Sequence, residues 1–462
     1  MRGDKRLKRQ FLKLDKLEGP LLVLSGVKDA SFDEIVEITV SDEKRQGKVV
    51  AIDEERVIIQ VFESTAGLSI NNTAIKFTGN PLEITLSKNI LGRVFNGIGQ
   101  PKDGLGPVFG DAVRNINGMP INPVSRVYPR NYIQTGLSAI DGFTTLIRGQ
   151  KLPIFSGSGL PHDRLAAQIV NQAKLSDKSD EKFAIVFCAI GIKHTDADFF
   201  RNAFIKTGVS GNVVMFMNLA DEPIVERLAT PRCALTAAEY LAFDLGMHIL
   251  VVITDMTNYC EALRELSSSR EEVPGRRGYP GYLYSDLASI YERAGMIKGS
   301  DGSITQIPIL TMPNNDITHP IPDLTGYITE GQIVLSENLD KRGIYPPINI
   351  LPSLSRLMKD GIGEGFTRED HSEVSNQIFS AYSKVQDIKA LSQVIGEDEL
   401  SEIDKKYLEF GKNFEEKLVK QRYDEDRNII LSLDLVWDII SVLPKEELER
   451  IKPETLNKYY RG

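Results

Sequence analysis

A run of small residues between a buried apolar strand and an amphipathic helix is the first place where this sequence could do chemistry. Apolar residues 152–155 are followed by Ser156, Gly157, Ser158, Gly159, Leu160, Pro161, His162 and Asp163. A strand, a small-residue loop and a helix form the arrangement in which backbone N–H groups bind phosphate. The position therefore predicts the remains of a phosphate-binding loop.

This loop departs from a working phosphate loop at each position that carries chemistry. The working pattern is G-x-x-x-x-G-K-[ST], in which the Lys neutralises phosphate and the hydroxyl holds Mg²⁺. Ser156 and Pro161 replace the two glycines, while His162 and Asp163 replace the Lys and the hydroxyl residue. Proline lacks a backbone donor, histidine is mostly neutral at pH 7, and a carboxylate repels polyphosphate. We expect weak ATP binding or none; the alternative is that the glycines are ordinary turn residues.

Asp255 is the second candidate for the same site. It follows the apolar run 249–254, and a buried strand that ends in an acid is typical of a Walker B element. An acid at that point would orient Mg²⁺. Asp255 therefore joins the loop as a predicted site residue.

The elements around these residues predict several domains. Residues 1–16 are a basic arm, and residues 88–134 are a connector rich in Gly and Pro leading into the central domain. Between residues 17 and 87, short β-type runs punctuated by glycine predict an antiparallel β-barrel. The expected strands of that barrel are 20–24, 35–40, 48–52, 57–62, 74–77 and 82–86.

The pattern changes after the connector. In residues 135–362, buried apolar runs alternate with helical periods, which predicts an α/β domain of the nucleotide-binding type with a parallel sheet. Its expected strands are 152–155, 183–190, 213–217, 249–254 and 307–311. In residues 363–462, helix-favouring segments predict a C-terminal helical bundle. The expected helices there are 369–394, 402–421 and 431–443.

Composition excludes several classes of protein. The formal net charge of -9 argues against a protein that coats nucleic acid, because such binding needs clustered Lys and Arg. The longest apolar runs, such as 249–253, are far shorter than the roughly 18 residues that cross a bilayer. Cys188, Cys233 and Cys260 suit reduced core thiols, and the histidines lack metal-ligand spacing, so we expect no protein-bound metal cage.

The segment 346–355 carries a resemblance to a known family. Its sequence, PPINILPSLS, is similar to the signature of the α/β-type subunits of rotary ATPases. Nearly the whole chain resembles the non-catalytic B subunits of the V/A type. The segments that carry this second resemblance are 155–162, 215–220, 234–241, 255–259, 273–282 and 319–332. The resemblance implies a β-barrel, a RecA-like central domain and a C-terminal helical domain.

The resemblance also implies roles for individual residues. Arg356 is placed where the family's non-catalytic subunits carry an arginine finger. With Ser355, it would reach the ATP bound by the neighbouring catalytic subunit. The alternative for Arg356 is a surface arginine paired with a carboxylate. Ile192 stands where catalytic subunits carry a Glu that activates water, and an isoleucine cannot accept a proton.

The partners are likewise what the resemblance implies. The chain would alternate with catalytic A subunits in an A3B3 ring, with ATP or ADP and Mg²⁺ held mainly by the A subunit at each interface. Central stalk subunits of the D/F type and peripheral stalk subunits of the E/G or E/H type would join the ring to a membrane sector. That sector moves H⁺ or Na⁺, which would place this chain on the cytoplasmic face of the membrane.

Two segments keep alternative interpretations. The acidic residues 398–404 are similar to a rotor-contacting segment of F-type relatives, but such a run is often only a solvated helix face. The loop 274–281 resembles one that faces the shaft, and Arg276 and Arg277 within it could face either the shaft or solvent.

Two rival functions make different demands. A self-sufficient ring ATPase, such as a flagellar or secretion-type ATPase or a helicase, requires a Lys at position 162 and an acid at position 192. The sequence has His162 and Ile192 instead. A scaffold subunit that contributes nothing to the chemistry would tolerate the loss of Arg356.

Overall fold

The computed structural model describes residues 10–11, 14–41, 43–53, 56–62, 65–71, 73–128, 130–175 and 181–462. Most of the expected basic arm, residues 1–16, lies outside these ranges. The N-terminal part is a seven-stranded antiparallel sheet with the order β1-β7-β4-β5-β6-β3-β2. Its strands are β1 (Gln10–Phe11), β2 (Lys16–Glu18), β3 (Leu21–Ser25), β4 (Glu34–Val40), β5 (Glu43–Asp53), β6 (Arg56–Val61) and β7 (Thr73–Pro81).

Alternation of side chains explains this sheet. In β7, buried and half-buried residues alternate from Thr73 to Phe77, as expected when one face covers a core. That core contains Leu22, Val36 and Ile59, which are fully buried. Each of the first five expected strands is present, most of them longer than the apolar runs indicated. The expected sixth strand, 82–86, is correct as a strand but does not join this sheet.

Three short strands lie just before and within the connector. They are β8 (Glu83–Leu86), β9 (Val94–Phe95) and β10 (Ala112–Asn115). β8 pairs only with β10, in a separate two-stranded antiparallel sheet. β9 instead adds a parallel strand to the edge of the large central sheet. The alternation of apolar and polar residues could not predict these pairing partners, because they depend on which strand has a free edge nearby in the folded chain.

The central part is built on a nine-stranded, mainly parallel sheet with the path β21-β20-β13-β19-β17-β15-β16-β9, where β18 pairs with β19. A small three-stranded sheet, β12-β11-β14, lies beside it. The strands are β11 (Tyr132–Gln134), β12 (Leu146–Ile147), β13 (Ile154–Ser156), β14 (Lys174–Leu175), β15 (Phe183–Ile192), β16 (Val213–Leu219), β17 (His248–Thr254), β18 (Gly295–Met296), β19 (Ser303–Thr311), β20 (Gly331–Leu335) and β21 (Ile348–Ser355).

Helices cover both faces of this sheet. They are α1 (Ser138–Phe143), α2 (His162–Gln172), α3 (His194–Thr207), α4 (Ile224–Glu239), α5 (Met256–Ser269), α6 (Leu283–Tyr291), α7 (Pro320–Ile328) and α8 (Glu337–Lys341). Successive strand residues contribute to different cores: Leu250 belongs to one and Val251 to the other. All seven residues of β17 are buried, which explains the continuous apolar run 249–253 within it.

The C-terminal part is helical, as expected. Its helices are α9 (His371–Ile395), α10 (Glu402–Asn413), α11 (Ile429–Ile440) and α12 (Pro453–Tyr459). The expected helix 402–421 ends sooner, because α10 passes into a π-helical turn, Phe414–Val419. Val374 and Trp437 belong to the same core as Leu250, so these helices share one face of the central sheet.

The sequence did not predict β20 and β21. β20 lies parallel to β13, and β21 runs antiparallel to β20 at the edge of the sheet. The signature segment 346–355 is therefore largely an edge strand.

Candidate functional site

The damaged loop lies where a phosphate loop belongs. β13 ends at Ser156, and α2 begins at His162, with the loop between them. Gly159 adopts a φ of 79°, a left-handed conformation that glycine tolerates best. A Cβ on Gly157 would lie 2.5 Å from the Asn315 Oδ1 atom, so only glycine fits against that neighbour. The predicted strand, loop and helix are thus in place.

Three backbone donors of the loop are already in use. The Leu160 N–H donates to the Gly157 carbonyl at 3.3 Å, and the His162 N–H donates to the Leu160 carbonyl at 2.8 Å. The Ser158 N–H donates to Asn315 Oδ1 at 3.3 Å. Pro161 has no N–H to offer. A phosphate at this loop would meet few free amides, whereas a working loop presents several of them together.

The side chains of the loop are also unsuited to phosphate. His162 Nδ1 lies 3.1 Å from Ser156 Oγ, and its Nε2 lies 3.7 Å from Asp163 Oδ1. Burial raises the pKa of the Asp163 carboxyl; the His162 ring opposes that shift, and the charges of Asp196 and Asp255 add to it. Three acids therefore act on one another where a triphosphate would need cations.

Asp255 accepts hydrogen bonds from residues of its own chain through both carboxylate oxygens. Its Oδ1 accepts hydrogen bonds from the Thr257 N–H at 2.7 Å and the Thr311 N–H at 3.2 Å. Its Oδ2 accepts from the Thr311 hydroxyl at 2.5 Å. The first bond makes Asp255 the N-cap of α5. Both oxygens of Asp255 accept hydrogen bonds from this chain, so the carboxylate caps α5 and ties it to the end of β19.

The expected position of the water-activating acid holds a buried apolar residue. Ile192 is the last residue of β15 and is 7% exposed. Its carbonyl accepts the Ala220 N–H at 2.8 Å, and α3 begins two residues later at His194. The ring of His194 is exposed and lies 3.0 Å from an Asp221 oxygen. Position 192 therefore offers no carboxylate that could activate water.

Arg356 follows the last residue of the edge strand β21. Its N–H donates to the Glu330 carbonyl at 2.9 Å, which holds the backbone beside the start of β20. Its side chain is exposed. Within the described ranges, the guanidinium has neither a hydrogen bond nor an ion pair. A surface pairing with a carboxylate of this chain is therefore not what the described residues show.

Ser355 points the other way. Its hydroxyl donates to the Thr145 carbonyl at 3.0 Å and accepts from Gln150 Nε2 at 2.9 Å. It is 7% exposed, whereas Leu354 beside it is 51% exposed. Successive residues of a strand face opposite sides, so the buried Ser355 turns Arg356 outward.

Arg356 and the damaged loop lie toward opposite ends of β20, the strand that separates β21 from β13. β21 is antiparallel to β20, with Ser355 opposite Gly331 and Ile348 opposite Leu335. Phe155, next to the loop, lies opposite Val334 at the far end of β20. Three strand positions, from Gly331 to Val334, separate the two levels, a distance of about 10 Å along the strand. Arg356 therefore lies at a distance from the chain's own loop.

Comparison with known proteins agrees with this architecture. The family profile for the ATP synthase alpha/beta family, nucleotide-binding domain, matches residues 136–355. The beta-barrel domain profile of the same family matches residues 17–79, and the C-terminal domain of V and A type ATP synthase matches residues 360–460. The chain belongs to the ATP synthase alpha/beta family, among its V/A-type B subunits.

Individual relatives cover almost the full length. The chain is 65% identical to the V-type ATP synthase beta chain 2 of Clostridium tetani, over 99% of this chain and 100% of the relative. It is 59% identical to the B subunit of the A-type ATP synthase of Aeropyrum pernix, over 98% of both. The solved structure of the ATP synthase subunit NeqB from Nanoarcheaum equitans aligns with a TM-score of 0.73 at 40% identity, covering 91% of this chain and 98% of that one.

Two features of this B-type chain were not found from the sequence. Asn315, which occupies the Ser158 amide, adopts a φ of 56° in the turn after β19. Gly331 has a φ of 144°, and a Cβ there would lie 2.0 Å from the Leu354 carbonyl oxygen. The turn residues Pro313 to Asn315 were a signal for the first feature, and Gly331 within the family-like segment 319–332 was a signal for the second.

The structure shows which residues the two arginines of the loop 274–281 contact within the chain. Arg276 pairs with Asp323 at 3.0 Å, and Arg277 pairs with Asp316 at 2.8 Å. Both arginines are thus held by acids of the same chain. Most of the acidic segment 398–404 is exposed or half-buried around the start of α10.

Three further observations concern the described chain as a whole. The three cysteines are buried free thiols, as expected for core residues. Among the described residues, no group of three or more His, Cys, Asp or Glu side chains could hold a metal ion. No helix in the described ranges has both the length and the apolar character that a membrane crossing requires.

Proposed function

We propose that this chain is the non-catalytic B subunit of a V/A-type rotary ATP synthase or ATPase, supplying Arg356 in trans to a neighbouring nucleotide site. The observation that carries the proposal is the exposed side chain of Arg356 after the edge strand β21, toward the end of β20 opposite to the chain's own damaged loop. A cation in that position can serve a site on another protomer. Ser355 supports it by holding the strand end through Thr145 and Gln150.

The chemistry asked of Arg356 is charge stabilisation. When the bond to the γ-phosphoryl group breaks, negative charge develops on its oxygens, and a guanidinium placed in advance lowers that energy. Arginine suits the task because its planar fork donates two parallel hydrogen bonds to phosphate oxygens. The ATP or ADP and its Mg²⁺ would be bound mainly by the catalytic A subunit.

The assembly follows from this division of labour. The chain would alternate with A subunits in an A3B3 ring around central stalk subunits of the D/F type. Peripheral stalk subunits of the E/G or E/H type would restrain the ring against the membrane sector that carries H⁺ or Na⁺. The chain would reach the membrane only through these partners, on its cytoplasmic face. Closure of the interface would couple rotation to ATP synthesis or hydrolysis.

The deciding experiment replaces Arg356 in a reconstituted A–B ring. We expect Arg356→Ala to lower ATP turnover by on the order of a thousandfold while the ring still assembles, because the transition-state charge loses its cation. Arg356→Lys should recover only part of the rate, since an ammonium cannot donate in a planar fork. Phosphate release measures turnover, and size-exclusion chromatography measures assembly.

The matched control is Arg422→Ala, which also removes an exposed arginine but lies in the C-terminal part. We expect that variant to leave turnover unchanged. Near-normal turnover of the Arg356→Ala ring would remove Arg356 from the mechanism and would favour a scaffold role.

A further inference from the structure

A single buried glutamine joins the ends of two strands beside Arg356. Gln150 lies in the tight turn that follows β12, and its side chain is fully buried. Its Nε2 donates to the Ser355 hydroxyl at 2.9 Å and to the Glu330 carbonyl at 3.2 Å. Ser355 is the last residue of β21, and Glu330 directly precedes β20. One amide group therefore spans the β20–β21 pair at the point where Arg356 leaves the sheet.

The turn around Gln150 fixes the direction of that amide. The Gln150 N–H donates to the Ile147 carbonyl at 3.0 Å, and the Ile147 N–H donates to Gln150 Oε1 at 2.9 Å. Gly149 permits the turn by adopting a φ of 77°. The Gln150 carbonyl accepts the Gln306 N–H of β19 at 2.9 Å. Because a backbone N–H can only donate, its bond to Oε1 leaves Nε2 to face the two strand ends.

Glu330 is the fixed anchor of this bridge. Its Oε1 lies 2.9 Å from the Lys151 Nζ, and its Oε2 accepts the Lys151 N–H at 2.8 Å. Its own N–H donates to the Lys151 carbonyl at 3.1 Å. The Lys151 side chain is buried and also pairs with Glu292 at 2.7 Å. Charge-assisted hydrogen bonds are stronger than neutral ones, so Glu330 is held firmly.

The end of β21 is tied to that anchor through Gln150. The Arg356 N–H donates to the same Glu330 carbonyl that accepts from Gln150 Nε2. Within the described ranges, the Arg356 guanidinium makes neither a hydrogen bond nor an ion pair, so its position depends on its backbone. The residue before it, Ser355, is bonded to Gln150 through its side chain. A change in Gln150 would therefore shift the guanidinium.

We propose that Gln150 is a positioning residue for Arg356, which holds the end of β21 against Glu330 so that the guanidinium meets the nucleotide site of the neighbouring subunit. The inference rests on the proposed function and deepens it, because it assigns the placing of the cation to a fully buried residue. The segment that leads into this chain's own damaged loop would thereby also serve the neighbouring site.

Gln150→Met tests the inference in a reconstituted A–B ring. Methionine is similar in length to glutamine but cannot donate to Ser355 or Glu330, so β21 loses its tie while the space stays filled. A misplacement of about 1 Å can lower a rate on the order of a hundredfold. We expect kcat to fall by about 10- to 100-fold with little change in the KM for ATP, because the A subunit would bind the nucleotide.

The decisive measurement is whether this loss depends on Arg356. In the Arg356→Ala background, Gln150→Met should cause no further loss of kcat, because no guanidinium is left to position. A change that only damaged the fold would lower kcat by the same factor in both backgrounds. Ser355→Ala is a milder second variant, since it removes the hydroxyl that the amide reaches. It should cause a smaller loss, again only when Arg356 is present.

Gln377→Met is the matched control. Gln377 is also a buried glutamine, which donates to the Glu447 carbonyl at 3.0 Å and accepts the Arg450 N–H at 2.8 Å, but it lies on α9. We expect this variant to leave kcat unchanged. Phosphate release measures kcat, while thermal melting and size-exclusion chromatography check the folding and assembly of each ring. If Gln150→Met does not fold, Ser355→Ala provides the test.

The possible outcomes separate this inference from the proposed function. A loss of kcat that appears in the folded variant and vanishes in the Arg356→Ala background supports the proposal. Unchanged kcat, or an equal loss in both backgrounds, would overturn it and would leave the role of Arg356 intact. Near-normal turnover of the Arg356→Ala ring would overturn both.

Discussion

At the scale of single residues, the loop after β13 is disabled by occupied donors as much as by lost charge. The amides of Ser158, Leu160 and His162 already have acceptors, and one of these is the side chain of Asn315. Hydrogen bonds that are already made must be broken before phosphate can be bound, which costs free energy for each donor. Changing the charges of the loop therefore leaves the backbone problem unsolved.

This leads to a prediction for partial repair. The double change His162→Lys and Asp163→Thr restores the two side chains of the G-x-x-x-x-G-K-[ST] pattern. We expect the repaired chain to show no micromolar binding of Mg·ATP, because the amides remain occupied and Pro161 lacks a donor. Calorimetry on the folded variant measures this. Micromolar binding would show that side-chain charge alone had silenced the site.

Asp141 provides a pH-dependent test at the same scale. It is fully buried, and burial raises its pKa from 3.8 to about 7, while bonds from Thr135 and Gly136 oppose the shift. The folded chain thus holds this proton more tightly than the unfolded chain does. The resulting stability is present in full below the unfolded pKa and is lost as the pH rises to about 7.

Asp141→Asn removes this titration. Between about pH 5 and pH 8, we expect the wild type to lose about 2–3 kcal/mol of unfolding free energy relative to the variant. Denaturant unfolding of both proteins at the two pH values measures the difference. A gap that stays constant, or that grows in favour of the wild type as the pH rises, would contradict the assignment.

At the scale of elements, the pairing of β20 with β21 positions Arg356. Gly331 begins β20 at a φ of 144°, and the Leu354 carbonyl lies where its Cβ would be. The next contact along is the bond from the Arg356 N–H to the Glu330 carbonyl. A side chain at position 331 would push β21 away from β20 and would carry Arg356 with it.

Two glycines in this region give a matched pair of variants. We expect Gly331→Ala to destabilise the fold by about 1–3 kcal/mol through backbone strain and to lower the turnover of an A–B ring. Gly326→Ala lies in α7, where the nearest atoms to a new Cβ are at 3.6 and 4.0 Å. It should leave turnover unchanged and add up to about 1 kcal/mol of helix stability. Thermal melting measures the stability of both variants, and phosphate release measures their turnover. Equal turnover of the two variants would show that the β20–β21 contact does not position Arg356.

At the scale of the whole molecule, the C-terminal helices are tied to the central sheet through one turn. The Gly136 carbonyl accepts hydrogen bonds from Gln421 Nε2 and the Arg427 N–H, both at 3.0 Å. The Ser138 N–H donates to Gln421 Oε1 at 2.7 Å. The shared core that contains Trp437 and Leu250 completes this connection. These contacts join the helical part to the turn that precedes α1 in the central part.

The proposed function of the whole molecule is tested by mixing the purified chain with its A partner. We expect the purified chain to show no ATP hydrolysis, because its loop lacks the Lys and Ile192 cannot activate water. Hydrolysis should appear when the A partner is added. Phosphate release from each protein alone and from the mixture measures this. Hydrolysis by this chain alone that is lost on His162→Ala would contradict the proposed division of roles.

Local sequence was sufficient for features whose cause is local. The strand, loop and helix around residues 154–172, the apolar β17 and the three-part order of the chain all follow from period, propensity and turn residues. The damaged state of the loop also follows, because Pro161 and His162 differ from Gly and Lys wherever they are placed. The family resemblance from 346–355 was confirmed by the matched profiles.

Tertiary structure alone decided which distant residues meet. The antiparallel direction of β21 places Arg356 at the end of the strands away from the loop, and a parallel strand would have placed it at the other end. Asn315 reaches the Ser158 amide, and Tyr423 reaches Arg164, only because the sheet order and the C-terminal helices bring them together. Strand order and helix docking depend on the burial of apolar surface summed over the whole chain, which no local pattern encodes.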